Sequence, residues 1–161
     1  NGEQMDDLIW MYPNGDVIDH KDMLVKIKEH TNQGGGIYIG TDSHMDKDKF
    51  IFATVICMHN EEKRNGGTYF YNKERIKVGK FGSLVNRILH EVNKSVEIGL
   101  SLREKNVENI ELHIDASAPD AGNATSRFSD MLSGFAKGAG FKIKVKPDAW
   151  SSSSIADRHA K

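Results

Sequence analysis

Asp42 and Asp115 each follow a run of β-branched and aliphatic residues, Ile37-Tyr38-Ile39-Gly40-Thr41 and residues 110–114. Such runs read as strands, so both carboxylates are expected where strands end. Ligand sites in open α/β sheets gather at the carboxyl ends of strands. If the two strands are neighbours, two like charges share one sheet edge, which is costly unless a cation neutralises them. Oxygen donors without a thiolate select a hard ion, Mg²⁺ or Mn²⁺. Aspartates at such positions also serve as turn or cap residues, and the pair alone leaves both readings open.

Two further acids are candidates. On a long helix read below, Glu91 falls about 110° from the centre of the apolar stripe, at its margin beside Ile88 and Ser95, where it can reach the sheet edge or stay in solvent. Asp157 follows Ser151 to Ser154 and Ile155-Ala156 in a last helix. Asp148, directly after Pro147, is better explained as the N-cap of that helix. Two cations about 3.5–4 Å apart, held by such carboxylates, activate a water on one side of a phosphodiester and stabilise the leaving oxygen on the other. The substrate backbone then needs a positive track. Lys142, Lys144 and Lys146 on one strand face supply one, with Lys161 a helical turn beyond Asp157. His44 and His159 are accessory candidates for proton transfer, though a histidine beside a strand end is also an ordinary surface residue.

The elements that must position these residues follow from periodicity and punctuation. Residues 1–19 read as irregular, with a turn at Pro13-Asn14-Gly15. A short helix starts at Asp19 or His20 and runs to about His30, with Met23, Leu24 and Ile27 on its stripe. Strands are expected at 37–41, at 50–58 (apolar on both faces and so central) and at 68–78, the last after the turn signal Asn65-Gly66-Gly67. Short links between them predict an antiparallel meander. Phe81, Leu84, Val85, Ile88, Leu89, Val92, Val96 and Leu100 predict a helix over 81–105. A fourth strand at 109–115, a helix at 126–137 ended by Gly138 and Gly140, and a fifth strand at 141–146 complete an α/β layout. Right-handed crossovers set strands four and five parallel to strand one.

Composition narrows the partners. The 161 residues suit one domain with its own core. Phe50 to Met58 is the longest near-apolar run, far short of the ~20 residues of a membrane helix, so no membrane partner is expected. No secretory signal is read at the acidic start, and the single Cys57 excludes an internal disulfide. Both predict a cytoplasmic protein. Net charge is −1, but its distribution is uneven. Residues 1–36 hold three bases against seven acids, whereas residues 137–161 hold six bases against two acids. A polyanion is expected at the basic end, although a solvated charged face needs no partner at all.

Ile39-Gly40-Thr41-Asp42-Ser43-His44, Glu91 to Ser95, His113-Ile114-Asp115 and above all Lys146-Pro147-Asp148-Ala149-Trp150-Ser151 with Ala156-Asp157-Arg158-His159 resemble the YkuK-type family of the ribonuclease H-like superfamily. The resemblance covers about residues 20–161. It implies a five-stranded mixed sheet, a three-strand meander plus two parallel strands, flanked by helices. It also implies an acidic two-metal nuclease site, with the superfamily's positions carried by Asp42, Glu91, Asp115 and Asp157. The chain is then one ribonuclease H-like domain over 1–161, with 1–35 an N-terminal extension of irregular segment and short helix. The implied partner is RNA, DNA or their hybrid.

Other chemistries fit less well. Seven histidines include no His-Glu-x-x-His, and no Cys-x-x-Cys exists, so zinc has only the pair His113 and Asp115. No Gly-x-x-x-x-Gly-Lys-Ser/Thr occurs. Gly40-Thr41-Asp42 resembles the phosphate strands of sugar kinases and actin-like ATPases, which need two such halves. Ser43-His44 after Asp42 replaces the Asp-x-Glu of proofreading exonucleases, whereas a junction resolvase stays compatible. A non-catalytic binding or scaffolding module on the same fold is the alternative, because fold does not fix function.

Overall fold

The computed structural model describes residues 5–59, 68–77, 79, 84–114, 130 and 134–145. Its strands are β1 (Trp10–Met11), β2 (Val17–Ile18), β3 (Gly36–Asp46), β4 (Lys49–His59), β5 (Thr68–Lys77), β6 (Ile110–Ile114) and β7 (Lys142–Val145). The helices are α1 (His20–Asn32) and α2 (Leu84–Glu104). Residues 134–138 are also helical, reaching one residue past the end expected for the helix at 126–137.

The strands form one sheet in the order β2-β1-β5-β4-β3-β6-β7. β3, β4 and β5 make the antiparallel meander, while β6 and β7 lie parallel to β3. The mixed α/β class is therefore as expected, but among the described residues the sheet has seven strands rather than five. The difference lies in the N-terminal segment. The turn at Pro13-Asn14-Gly15 joins β1 to β2, with Asn14 Oδ1 accepting from the Asp16 N–H at 2.9 Å and Gly15 at φ 94°. This hairpin docks on β5 through the pair Met11↔Tyr71. Strands of two residues give no period-2 signal, which is why the segment reads as irregular.

α1 starts at Asp19, whose carboxylate accepts from the Lys21 N–H at 3.1 Å and caps a free donor of the first turn. Met23 and Ile27 face inward from it. α2 adds Ile88, Val92, Val96, Ile98 and Leu102 to the same core, which also takes in Met5 and Trp10. Leu100, expected on the stripe, is 40% exposed. Ile98 and Leu102, on the opposite side of Val92 from Leu100 around the helix, are buried instead. A smaller cluster of Val55, Cys57 and Tyr71 lies on the other sheet face. Cys57 is a buried thiol in this apolar setting, as β4's two apolar faces predict.

Candidate functional site

β3 extends to Asp46, five residues beyond the strand the sequence predicts, because β4 pairs with it along its whole length. Asp42 consequently lies inside a strand and not after one. β6 pairs with β3 up to Gly40↔His113 and ends at Ile114. The end of the parallel neighbour thus falls at the level of Asp42, as expected for adjacent strands. Asp115 is the next residue in the chain but lies outside the described residues. So do Asp157, Lys146, Lys161, His159 and the cap candidate Asp148.

Successive side chains of a strand point to opposite faces. Thr41 and Ser43 both bond to α2: Thr41 Oγ1 is 2.7 Å from Ser95 Oγ, and Ser43 Oγ donates to Glu91 Oε2. Asp42, between them, occupies the face away from α2, with exposed His44 two residues on. Glu91 is on the α2 face and only 7% exposed; the sheet takes it up where solvent was an equal expectation. The two acids thus lie on opposite faces of the sheet, and Ser43 bonds to each, its hydroxyl to Glu91 and its N–H to Asp42 Oδ1 at 2.9 Å.

Ser43 is held in turn by Arg87. The guanidinium Nε donates to Ser43 Oγ at 2.6 Å and Nη2 donates to Ser43 O at 2.7 Å. Arg87 also lies 4.6 Å from the centre of the Phe50 ring, a cation–π contact that fixes its plane. Since a guanidinium only donates, the serine hydroxyl must accept from Arg87 and spend its own proton on Glu91. The Thr41 hydroxyl meets Thr54 Oγ1 at 3.0 Å as well as Ser95. A narrow crevice here is lined by Thr41, Glu91, Ser95, His113 and Ile114.

One helical turn along, Glu74 of β5 receives Lys94 Nζ at 2.5 Å and His90 Nε2 at 3.3 Å. The hydrogen bond from His90, with the bond and charge of Lys94, outweighs burial and lowers the Glu74 carboxyl from 4.5 to about 2. Sequence reading missed Ser43, Arg87, Glu74, His90 and Lys94. The available signal was the pair of i, i+4 spacings Arg87–Glu91 and His90–Lys94 beside the apolar stripe.

On Asp42's face, His113 is buried and stacked on Tyr38 at 4.8 Å between centroids. Burial pushes its imidazole below the usual 6.5, against the Glu111 carboxylate 3.1 Å away. Lys144 Nζ is 3.7 Å from the same Glu111 oxygen, so Lys142 and Lys144 share the expected face of β7, and both are exposed. Among the described residues no three histidine, cysteine or acidic side chains converge as a metal group. The donor chemistry of Asp42 and Glu91 nevertheless fits a hard divalent cation, being carboxylate oxygen throughout.

No curated protein and no solved structure matches the chain. The sequence pattern of the ribonuclease H-like family matches residues 20–161, the span of the YkuK-type resemblance. With the parallel extension β3-β6-β7 of an antiparallel meander already in place, that match shows that the chain belongs to the ribonuclease H-like family.

Proposed function

We propose that the protein is a metal-dependent nuclease that hydrolyses phosphodiester bonds of RNA or DNA. The observation that carries this reading is the buried Glu91 carboxylate, tied through Ser43 to the strand that bears Asp42 at the level where β6 ends. Burying an ionised carboxylate is costly without strong partners, and an acid kept there suits cation binding better than packing. Asp42, Glu91, Asp115 and Asp157 would hold Mg²⁺ or Mn²⁺, as two ions. When bound, these ions would supply charge stabilisation for the transferring phosphoryl group and lower the pKa of an attacking water.

The chain's own residues do the rest. Arg87 and Ser43 fix the Glu91 carboxylate before substrate arrives, so that no reorganisation is needed during reaction. Lys142 and Lys144, with Lys146 and Lys161, neutralise backbone phosphates. His44, exposed on Asp42's face, and His159 exchange protons with solvent near the scissile bond.

Incubating labelled RNA, DNA and hybrid with the protein in Mn²⁺, Mg²⁺ or EDTA tests the proposal. Cleavage that needs the metal and is lost in Asp42→Asn, Glu91→Gln and Asp157→Asn, but kept in Asp148→Asn, is the expected result. Binding of any of these substrates with no cleavage in either metal would instead assign the fold to a non-catalytic module.

A further inference from the structure

β5 carries a second row of cations that the sequence reading treated only as part of a strand. Glu74 bonds to α2, so alternation puts Lys73, Arg75 and Lys77 on the opposite face, the one that bears Asp42. The register makes the relation definite. Lys73 shares a cross-strand row with Ala53 and Asp42, Arg75 one with Ile51 and His44, and Lys77 one with Lys49 and Asp46. Two strand spacings separate Lys73 from Asp42, about 10 Å. From there the row leads away from the site, with Arg75, Lys77 and Lys49 exposed.

Two features mark this row as a binding surface. Among the described residues, none of Lys73, Arg75, Lys77 and Lys49 enters an ion pair or side-chain hydrogen bond. Lys144 of the β7 row, by contrast, already faces Glu111. Lys49 and Lys77 are also directly opposed across the β4–β5 ladder, and like charges so placed destabilise a sheet. An anion laid over them reverses the sign of that term. Successive side chains on one strand face are about 6.8 Å apart, so the three β5 cations can follow a repeating chain of charges. Asp46 is the acid on this face at the far end, and it leaves the row with a net positive charge.

We infer that Lys73, Arg75 and Lys77 of β5, with Lys49 of β4, bind the phosphate backbone of a nucleic-acid strand and lead it to Asp42. This rests on the nucleic-acid reading above and adds a track on the side of Asp42 opposite to β7. Charged residues on β5 can also serve to keep another strand from pairing with a partly open sheet edge, and the experiment separates the two roles.

Fluorescence anisotropy of a labelled single-stranded oligonucleotide, in EDTA and across a salt series, gives the slope of log affinity against log salt. Lys73→Gln/Arg75→Gln/Lys77→Gln should flatten that slope by about 2, since each phosphate contact on a single strand contributes about 0.7. Arg75→Gln alone should flatten it by about 0.7, and serves if circular dichroism shows the triple variant unfolded. A slope equal to wild type, with the variants folded but newly prone to aggregate, overturns the proposal in favour of edge protection. If Lys142→Gln/Lys144→Gln flattens the slope and the β5 variants do not, the track lies on β7 alone. A wild-type protein that binds no oligonucleotide removes the nucleic-acid reading itself, a different result from binding with an unmoved slope.

Discussion

The Ser43 hydroxyl donates to the Glu91 carboxylate while accepting from the Arg87 guanidinium. A cation, a neutral relay and an anion are thus lined up from α2 to β3 and back to α2. The strand and helix are thereby locked in phase at the candidate site.

Ser43→Ala removes both side-chain bonds and leaves buried Glu91 and half-buried Arg87 without that partner. Hydrogen bonds to charged groups contribute about 1.5–3 kcal/mol each, so urea unfolding should show a loss of about 3 kcal/mol or more for the two. A loss below about 0.5 kcal/mol would mean that water replaces the hydroxyl without cost.

Glu74 makes stability depend on acid pH. Its folded pKa of about 2 lies below the ordinary 4.5, so its contribution is fully present above pH 4.5. As pH falls through this window towards 2 the contribution is lost. With Glu74 about one-fifth exposed, screening reduces it to on the order of 2 kcal/mol. Unfolding midpoints of wild type and Glu74→Gln should converge as pH falls from 4.5 to about 2.

Asp42→Asn should weaken Mn²⁺ binding by about tenfold or more, the loss of one anionic oxygen ligand corresponding to at least ~1.4 kcal/mol. Calorimetric titration of both proteins checks this. Equal affinities would exclude Asp42 from the ligand set.

Gly99 sits inside α2, where alanine ordinarily adds about 1 kcal/mol of stability. Here a Cβ would stand 2.8 Å from the Phe141 ring. Gly99→Ala is therefore expected to cost about 1–3 kcal/mol by overpacking. Gly134→Ala, with open space around its Cβ, should be neutral or slightly stabilising. Thermal melts of the two variants should shift in opposite directions.

The meander, the parallel strands and α2 were legible because their apolar residues recur at periods of 2 and 3.6. β4 was readable as central from its two apolar faces, and Ala53, Val55 and Cys57 are indeed buried opposite Phe52, Thr54 and Ile56. The outer half of β3 was not legible. Asp42 to Asp46 hold little apolar signal, and their strand conformation comes from pairing with β4, which is a tertiary effect. The same limit hid the site's wiring. A helical wheel puts Glu91 at the edge of the stripe, but only the register of β3 brings Ser43 beneath it.

The N-terminal hairpin has a consequence for how the chain is made. Asn72 Nδ2 donates to Ile9 O across 63 residues, and Met5, Trp10 and Ile18 are buried in the core that α1 and α2 also enter. The family match starts only at residue 20, so the added segment is fixed to the far side of the meander from its own point of origin. During synthesis, which proceeds at about 5–20 residues per second, Trp10 must wait several seconds, exposed, until β5 has left the ribosome. Contacts so distant in sequence form late. The hairpin is therefore translated before α1 yet seated only after β5 is made, and in the interval its indole is available to any chaperone that binds aromatic side chains.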